Sequence, residues 1–119
     1  MSSDTSYIDR ITQRRAAIGK FAKQQPEVMK AFRELNRAGG EARALDAKTK
    51  ELISLAIAVA VHCDDCIGFH AQACLKAGAT PEEIADALGV SIVMGGGPSL
   101  MYASHAMEAV EEFLKTSEA

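Results

Sequence analysis

Apolar residues recur at helical spacing along most of the chain. The first set is separated by intervals of three and seven residues and lies on one face of a helix: Ile8, Ile11, Ile18 and Phe21. Pro26 stands where a first-turn proline belongs, and a second apolar stripe (Val28, Phe32, Leu35) follows it up to a glycine pair. No segment alternates with a period of two. The pattern predicts an all-α fold, a bundle of about six helices.

The third predicted helix has an unusual pattern. Asp46 is a plausible N-cap, and the helix is expected to run from about Ala47 to Val61. Its second half is apolar on all sides, so we expect it to be buried all round. So short a chain has few other apolar side chains with which to cover this helix. Association with other copies is one solution, and a central position in the bundle is the other.

Turn and cap signals divide the rest of the chain. Asp64 or Asp65 is predicted to cap a fourth helix, which Gly78 ends. "TPEE" at 80–83 is typical of a capping box at the start of a fifth helix. "GGGP" at 95–98 interrupts the pattern before the last helix.

Length and charge exclude several classes of protein. The 119 residues predict a single domain over 1–119, and the net charge of −3 with no basic run argues against a nucleic-acid partner. The longest apolar stretch, 52–61, is too short to cross a bilayer, so no membrane span is expected. The N-terminus has an acid at Asp4 and no apolar signal-peptide core.

Cysteine usage favours a reducing compartment. The chain has three cysteines, an odd number, and no sign of export, so a disulfide-stapled secreted fold is not expected. We therefore predict a cytoplasmic protein in which Cys63 and Cys66 bind a metal or carry redox chemistry. A thioredoxin-like domain is excluded because no strand pattern precedes this Cys-x-x-Cys.

The segment "HCDDCIGFH" at 62–70 carries the candidate chemistry. On a helix that starts near Cys63, Cys66 and His70 share a face, and the side chain of His70 leans back toward Cys66. A base is thereby placed beside a thiol. The helix N-terminus and His70 favour the thiolate, which is the reactive form, whereas the neighbouring Asp64 and Asp65 disfavour it.

Two other interpretations of this segment stay open. Four side chains would make a zinc site: His62, Cys63, Cys66 and His70. Alternatively, the cysteines are small buried hydrophobes. Of the other candidates, Cys74 is interpreted as a packing residue, His105 is left out of the site, and His62 is expected to end the third helix.

"KTKELISLAIAVAVHCDDCIGFH" at 48–70 resembles the carboxymuconolactone decarboxylase and AhpD-like alkylhydroperoxidase family. The family's redox pattern is a glutamate, a Cys-x-x-Cys that begins twelve residues later, and a histidine four residues after the second cysteine. Four residues of this chain meet every spacing: Glu51, Cys63, Cys66 and His70. The resemblance extends over roughly residues 40–112 and is that of a small single-repeat member.

The resemblance implies an all-helical homo-oligomer, a trimer or hexamer, that needs no cofactor. It implies that Cys66 attacks a hydroperoxide, activated by His70 and Glu51 through a proton relay. Cys63 then condenses with the resulting sulfenic acid to give a disulfide. A dithiol reductant restores the thiols. In the best-known member that reductant is a lipoyl-bearing protein, and for this chain the substrate is a small hydroperoxide or a disulfide.

The chain departs from that peroxidase at one informative position. The peroxidase has a histidine immediately before its second cysteine, where this chain has Asp65. An acid there predicts less activated thiols and slower peroxide turnover. Decarboxylase members lack the cysteine pair. A lyase-like role with His70 and Glu51 as acid and base is therefore a separate alternative.

Helix geometry leaves the relay unresolved. Twelve residues of continuous helix would separate Glu51 from Cys63 by about 18 Å along the axis. If the next helix folds straight back, His70 lies only about 10 Å from Cys63 along the axis, so it does not reach the level of Glu51. Either the third helix ends before Cys63, or a water bridges the two groups, or another subunit supplies the acid.

Overall fold

The structure, a computed structural model, describes residues 6–116 as six helices joined by short turns. The helices are α1 (Tyr7–Gln24), α2 (Pro26–Gly40), α3 (Ala47–Ala60), α4 (Asp64–Lys76), α5 (Pro81–Gly95) and α6 (Gly97–Thr116). No strand occurs within this range, so the all-α prediction is confirmed. Residues 1–5 and 117–119 lie outside the described part. Asp4, whose charge argued against a signal peptide, is one of them.

The core lies among α3, α4, α5 and α6, which pack against one another. The largest fully buried side chains are supplied by all four helices: Leu55, Val59, Ile67, Ile84, Val110 and Phe113. Small residues fill the remaining space, with Ala71, Ala106 and Ala109 fully buried. Burial of this apolar surface is the main force that holds the four helices together. None of the described helices is both long and apolar enough to cross a membrane.

Helix caps agree with the sequence at two places and differ at a third. The Asp46 carboxylate accepts from the Thr49 N–H at 2.8 Å, and Thr80 forms the predicted capping box with Glu83. The cap of α4, however, is neither Asp64 nor Asp65. Cys63 takes that position, with extended backbone angles, and its Sγ accepts from the Cys66 N–H at 3.2 Å. Both acids therefore lie in the first turn of α4.

The cap differs because α3 ends in a tight hydrogen-bonded reversal. His62 has the left-handed φ of 62°, and its N–H donates to the carbonyl of Val59. The next N–H, that of Cys63, donates to the carbonyl of Ala58 at 3.0 Å. This pair of bonds is the Schellman arrangement, in which a left-handed residue is needed and glycine is usual. The chain reverses within three residues, and Cys63 is delivered directly to the start of α4.

The prediction that the third helix is buried on every side is wrong within one chain. Leu55, Ala58 and Val59 face the core, but Ile57 is 56% exposed and Val61 is 64% exposed. The six-helix chain has too little apolar material to enclose α3. The α2 helix shows the same deficit, since it contains no buried residue although it has a strongly amphipathic sequence.

The α1 helix lies across α4 and is fixed at its N-terminal end. Glu112 of α6 accepts from the N–H groups of Tyr7 and Ile8 and from the Ser6 hydroxyl, at 2.7 to 3.0 Å. Burial alone would raise the pKa of Glu112, but these hydrogen bonds hold it below its ordinary value. At Gly68 the two helices approach closely, because a Cβ there would meet Ile11 Cγ2 at 2.8 Å.

Gly68→Ala tests this close approach. The added methyl group overlaps the branched, buried side chain of Ile11, so we expect the free energy of unfolding to fall by about 1–3 kcal/mol. Urea denaturation followed by circular dichroism measures it. Gly19→Ala, within α1, is the matched control, because its Cβ meets nothing within 4 Å. The free energy of unfolding of this control is expected to rise by about 0.5–1 kcal/mol. Equal effects of the two substitutions would contradict the packing described here.

Candidate active site

The two motif cysteines meet at the N-terminal end of α4. Cys63 is the N-cap, Cys66 lies in the first turn, and their sulfur atoms form a disulfide with the Cα atoms 5.2 Å apart. Both residues are half-buried. The unpaired N–H groups of the first turn give this end of the helix a partial positive charge, which favours a thiolate once the disulfide is reduced.

Glu51 and His70 form a direct contact within one chain. Nδ1 of His70 lies 2.8 Å from Oε1 of Glu51, and each side chain is about one-third exposed (33% and 30%). Of the three arrangements left open by the sequence, the structure has the first: α3 ends at Ala60, and α4 runs back beside it. With Nδ1 held by the carboxylate, Nε2 is the ring nitrogen left to exchange a proton.

His70 follows Cys66 by four residues on the same helix. Residues at this interval lie on one face with their Cβ atoms about 5–6 Å apart. The α4 helix thus connects the disulfide to the Glu51–His70 pair over a single turn. The arrangement combines a nucleophile, a base and a residue that orients the base, which is the usual composition of an activated thiol site.

Asp64 is held by partners from both ends of the chain. Its Oδ1 accepts from the hydroxyl of Tyr7 at 2.8 Å and lies 2.9 Å from Nδ1 of His105. Tyr102 lies between two imidazoles, stacked on His62 at 4.6 Å and edge-on to His105 at 5.1 Å. Burial, together with the neighbouring carboxylate, raises the pKa of Tyr7, so its hydroxyl stays a donor.

His105 was left out of the site from the sequence, yet it contacts the residue that follows Cys63. A lone histidine 41 residues away from Asp64 gives no local signal of this contact. His62 ends the third helix region as predicted, since it is the left-handed residue after the C-cap.

Asp65 is paired with two arginines of α1. Nε of Arg14 lies 2.9 Å from Oδ2 of Asp65, and Nη1 of Arg10 lies 3.5 Å from Oδ1. The negative charge expected to oppose the Cys66 thiolate is therefore accompanied by two positive charges. Neither arginine could be assigned to the motif from the sequence, because both lie more than 50 residues before Asp65.

Cys74 is a free, fully buried cysteine of the core, in agreement with its interpretation as a packing residue. Burial, with a smaller contribution from the charge of Glu51, raises the pKa of its thiol to about 12. At neutral pH this sulfur is almost entirely protonated and has no access to solvent.

The four side chains weighed as zinc ligands are not gathered into one site. Among residues 6–116, no group of three or more histidine, cysteine or acidic side chains is arranged to hold a metal ion. His62 is stacked on Tyr102, and the two sulfur atoms are bonded to each other.

A cavity of about 510 Å³ between α2 and α3 reaches the Glu51–His70 pair. Its wall is mainly apolar on the side of α2 and the loop after it: Phe32, Leu35 and Leu45. Polar groups surround the pair itself, among them Lys50 and Ser54. A second cavity, of about 370 Å³ between α3 and α5, is lined by none of the four motif residues.

An all-helical chain with a Cys-x-x-Cys at a helix N-terminus and a Glu–His pair one turn further on defines a class of helical thiol proteins. The carboxymuconolactone decarboxylase family model matches residues 26–109, and the chain belongs to that family. The matched residues begin with α2, so α1 lies outside them.

Relatives match over most of their length. An uncharacterized protein of Cupriavidus necator is 42% identical over 103 residues, which cover 87% of this chain and 91% of the relative. The crystal structure of a carboxymuconolactone decarboxylase family protein from Legionella pneumophila superposes with a TM-score of 0.88 at 48% identity, covering 90% of this chain and 96% of that one. A family protein from Thermotoga maritima gives a TM-score of 0.80 at 31% identity, covering 92% and 96%.

The number of reactive thiols checks this description of the three cysteines. We expect no thiol to react with Ellman's reagent in the folded, unreduced protein, two to react after reduction, and three after reduction and unfolding. The reason is that Cys74 is buried with a pKa of about 12, whereas Cys63 and Cys66 are half-buried. Cys74→Ala is the control and should remove only the third thiol. A third thiol as fast as the other two in the folded protein would refute the assignment.

Proposed function

We propose that this protein is a thiol-dependent oxidoreductase of the AhpD-like type, which reduces a small hydroperoxide or carries a disulfide. The observation that carries the proposal is the Cys63–Cys66 disulfide beside the direct Glu51–His70 contact. The related Thermotoga maritima protein has been named as a candidate for involvement in antioxidative response, which supports the same class of chemistry.

In the proposed reaction, Cys66 is the attacking thiol. His70 takes the thiol proton on Nε2 while Glu51 holds Nδ1, and the thiolate attacks the terminal peroxide oxygen. The O–O bond breaks, the alkoxide leaving group takes the proton as an alcohol, and Cys66 becomes a sulfenic acid. The Cys63 thiol then attacks that sulfur, which forms the disulfide and releases water.

A dithiol must return two electrons to close the cycle. A donor thiolate attacks one sulfur of the Cys63–Cys66 pair, and its second thiol resolves the mixed disulfide. A lipoyl-bearing protein, the reductant implied by the family resemblance, carries such a dithiol. A cycle of this kind requires a reducing compartment, so the cytoplasm is the proposed location.

The cavity between α2 and α3 supports a substrate with an apolar group. It brings solvent to the Glu51–His70 pair past the side chains of Phe32 and Leu35. A short alkyl group can rest on these apolar residues, and the peroxide oxygens would extend past His70 toward Cys66, which does not itself line the cavity. We therefore expect small organic hydroperoxides to be used at least as well as hydrogen peroxide.

Substitution of Cys66 tests the proposed enzyme. Cys66→Ser should lower dithiothreitol-dependent consumption of cumene hydroperoxide by roughly 100-fold or more, because a serine hydroxyl is not ionised at neutral pH. Loss of peroxide is followed by a ferrous xylenol orange assay. Cys74→Ser is the matched control and should keep the activity, since Cys74 is buried in the core.

Other outcomes would favour other functions. Full activity of Cys66→Ser would refute the role given to this thiol. Lyase activity on a lactone acid that survives loss of both motif cysteines would favour Glu51 and His70 as an acid–base pair, which the family membership and their 2.8 Å contact make the second candidate. One tightly bound zinc per chain with both thiols unreactive would favour a binding or assembly module.

We also propose that the protein is a homo-oligomer, a trimer or hexamer. Apolar side chains of α3 and α5 form an exposed surface, here called the α3–α5 face: Ile53, Ile57, Val90, Val93 and Met94. The stripe on α2 is exposed as well: Val28, Phe32 and Leu35. Contiguous apolar patches of this kind usually mark protein–protein contacts.

Sedimentation equilibrium should give three or six times the chain mass of 12.7 kDa. Met94→Glu should lower that mass, because Met94 is 81% exposed on the α3–α5 face in a single chain and a buried charge would oppose association. Leu114→Glu, an exposed leucine of α6 outside that face, is the control. A wild-type protein that sediments as a monomer would contradict the proposal.

A further inference from the structure

The charges around the redox pair come from four helices and the turn between α3 and α4. Among residues 6–116, Glu108 of α6 adds a negative charge near Tyr7. The ionisable groups with direct contacts in this region include Tyr7, Arg10 and Arg14 of α1, Glu51 of α3, His62 of the turn, Asp64, Asp65 and His70 of α4, and His105 of α6. Three of them are carboxylates. Arginine is the only permanent cation in this set, and both arginines belong to α1.

Without α1, the reduced cysteines would therefore lie among three carboxylates. Such surroundings disfavour a thiolate, because like charges raise the free energy of the ionised form. With α1 present, Asp65 is paired with both Arg10 and Arg14, so two positive charges accompany the acid that directly precedes Cys66 in the sequence.

The arginines are held in place by the docking of α1. Arg10 and Arg14 are one helical turn apart and so share the face of α1 that meets the first turn of α4. The hydrogen bond from Tyr7 to Asp64 and the bonds from Glu112 fix the N-terminal end of α1, and Gly68 allows the close approach. The side chains of Arg10, Arg14 and Asp65 are 32%, 44% and 34% exposed, so their interaction is screened only in part.

We propose that α1, through Arg10 and Arg14, supplies the positive charge that makes the Cys66 thiol reactive in the reduced protein. The two arginines are positioning residues that act on the thiol through Asp65. The inference deepens the proposed function, because it concerns the same thiol, but it concerns only the reactivity of that thiol and not the substrate.

Alkylation of Cys66 tests the inference directly. In a Cys63→Ser background, reduced and at pH 7 in low salt, the rate of reaction with iodoacetamide reports the thiolate of Cys66 alone. Arg10→Gln with Arg14→Gln should slow it roughly three- to tenfold, since two nearby charges are lost. Asp65→Asn should accelerate it. Arg15→Gln is the matched control on α1, because Arg15 contacts Gln72 and Phe69 instead of Asp65.

Two further measurements separate charge from structure. Arg14→Lys, which keeps the charge, should restore most of the rate lost in Arg14→Gln. High salt should slow the parent protein, because it screens the arginines, and should accelerate the double variant, because it screens the remaining carboxylates, so that the two rates converge. Labelling of Cys74, buried in the folded chain, reports any loss of the fold. If the double variant unfolds, the single variants Arg14→Gln and Arg14→Lys, which differ in charge at one position, decide the question: equal alkylation rates of the two would overturn the inference.

An unchanged alkylation rate in a folded Arg10→Gln, Arg14→Gln variant would overturn the inference, and so would a slower rate in Asp65→Asn. Peroxide consumption is measured in parallel on the same arginine variants with Cys63 intact. Absence of peroxide turnover together with a charge-dependent alkylation rate would refute the proposed enzyme and leave this inference standing. Peroxide turnover with a charge-independent alkylation rate would do the reverse.

Discussion

The reversal between α3 and α4 is the constraint on which the site depends. The left-handed His62 closes α3 with two hydrogen bonds and turns the chain within three residues. Because α4 then runs back along α3, Cys63 becomes its N-cap and Glu51 reaches His70 directly. A left-handed histidine costs about 1 kcal/mol relative to glycine, and stacking of its ring on Tyr102 offsets part of that cost.

The six short helices do not bury all of their apolar side chains within one chain. Five helices contribute to the core, α1 only through Tyr7 and Ile11, while α2 buries no residue and the α3–α5 face stays open. The cavity that reaches the Glu51–His70 pair is bounded by this uncovered α2. In the proposed homo-oligomer, a neighbouring subunit on the α2 stripe would also form part of the route to the Glu51–His70 pair.

Local signals explain how much the sequence could predict. Helix periodicity and short-range caps placed the helices, including the Asp46 cap and the Thr80 box, because each depends on a few adjacent residues. The prediction that Asp64 or Asp65 caps α4 was wrong, because the position of that cap depends on how α3 ends. The contacts of Arg10, Arg14 and His105 with the motif were missed because they join residues 41 or more positions apart, and no local pattern encodes such pairs. The path from Glu51 to His70, which are 19 positions apart, stayed open because it depends on where α3 ends.

Asp65 has two opposing effects on the redox pair. Its own charge disfavours the Cys66 thiolate, yet it also pairs with Arg10 and Arg14, which the docking of α1 holds beside the motif. Removing the acid alone leaves the arginines nearby and favours the thiolate, whereas removing the arginines leaves the acid uncompensated. If Arg10 and Arg14 act as proposed, an acid inside the Cys-x-x-Cys is compatible with a reactive thiol only while α1 stays docked, and the stability of α1 and the chemistry of Cys66 are then coupled.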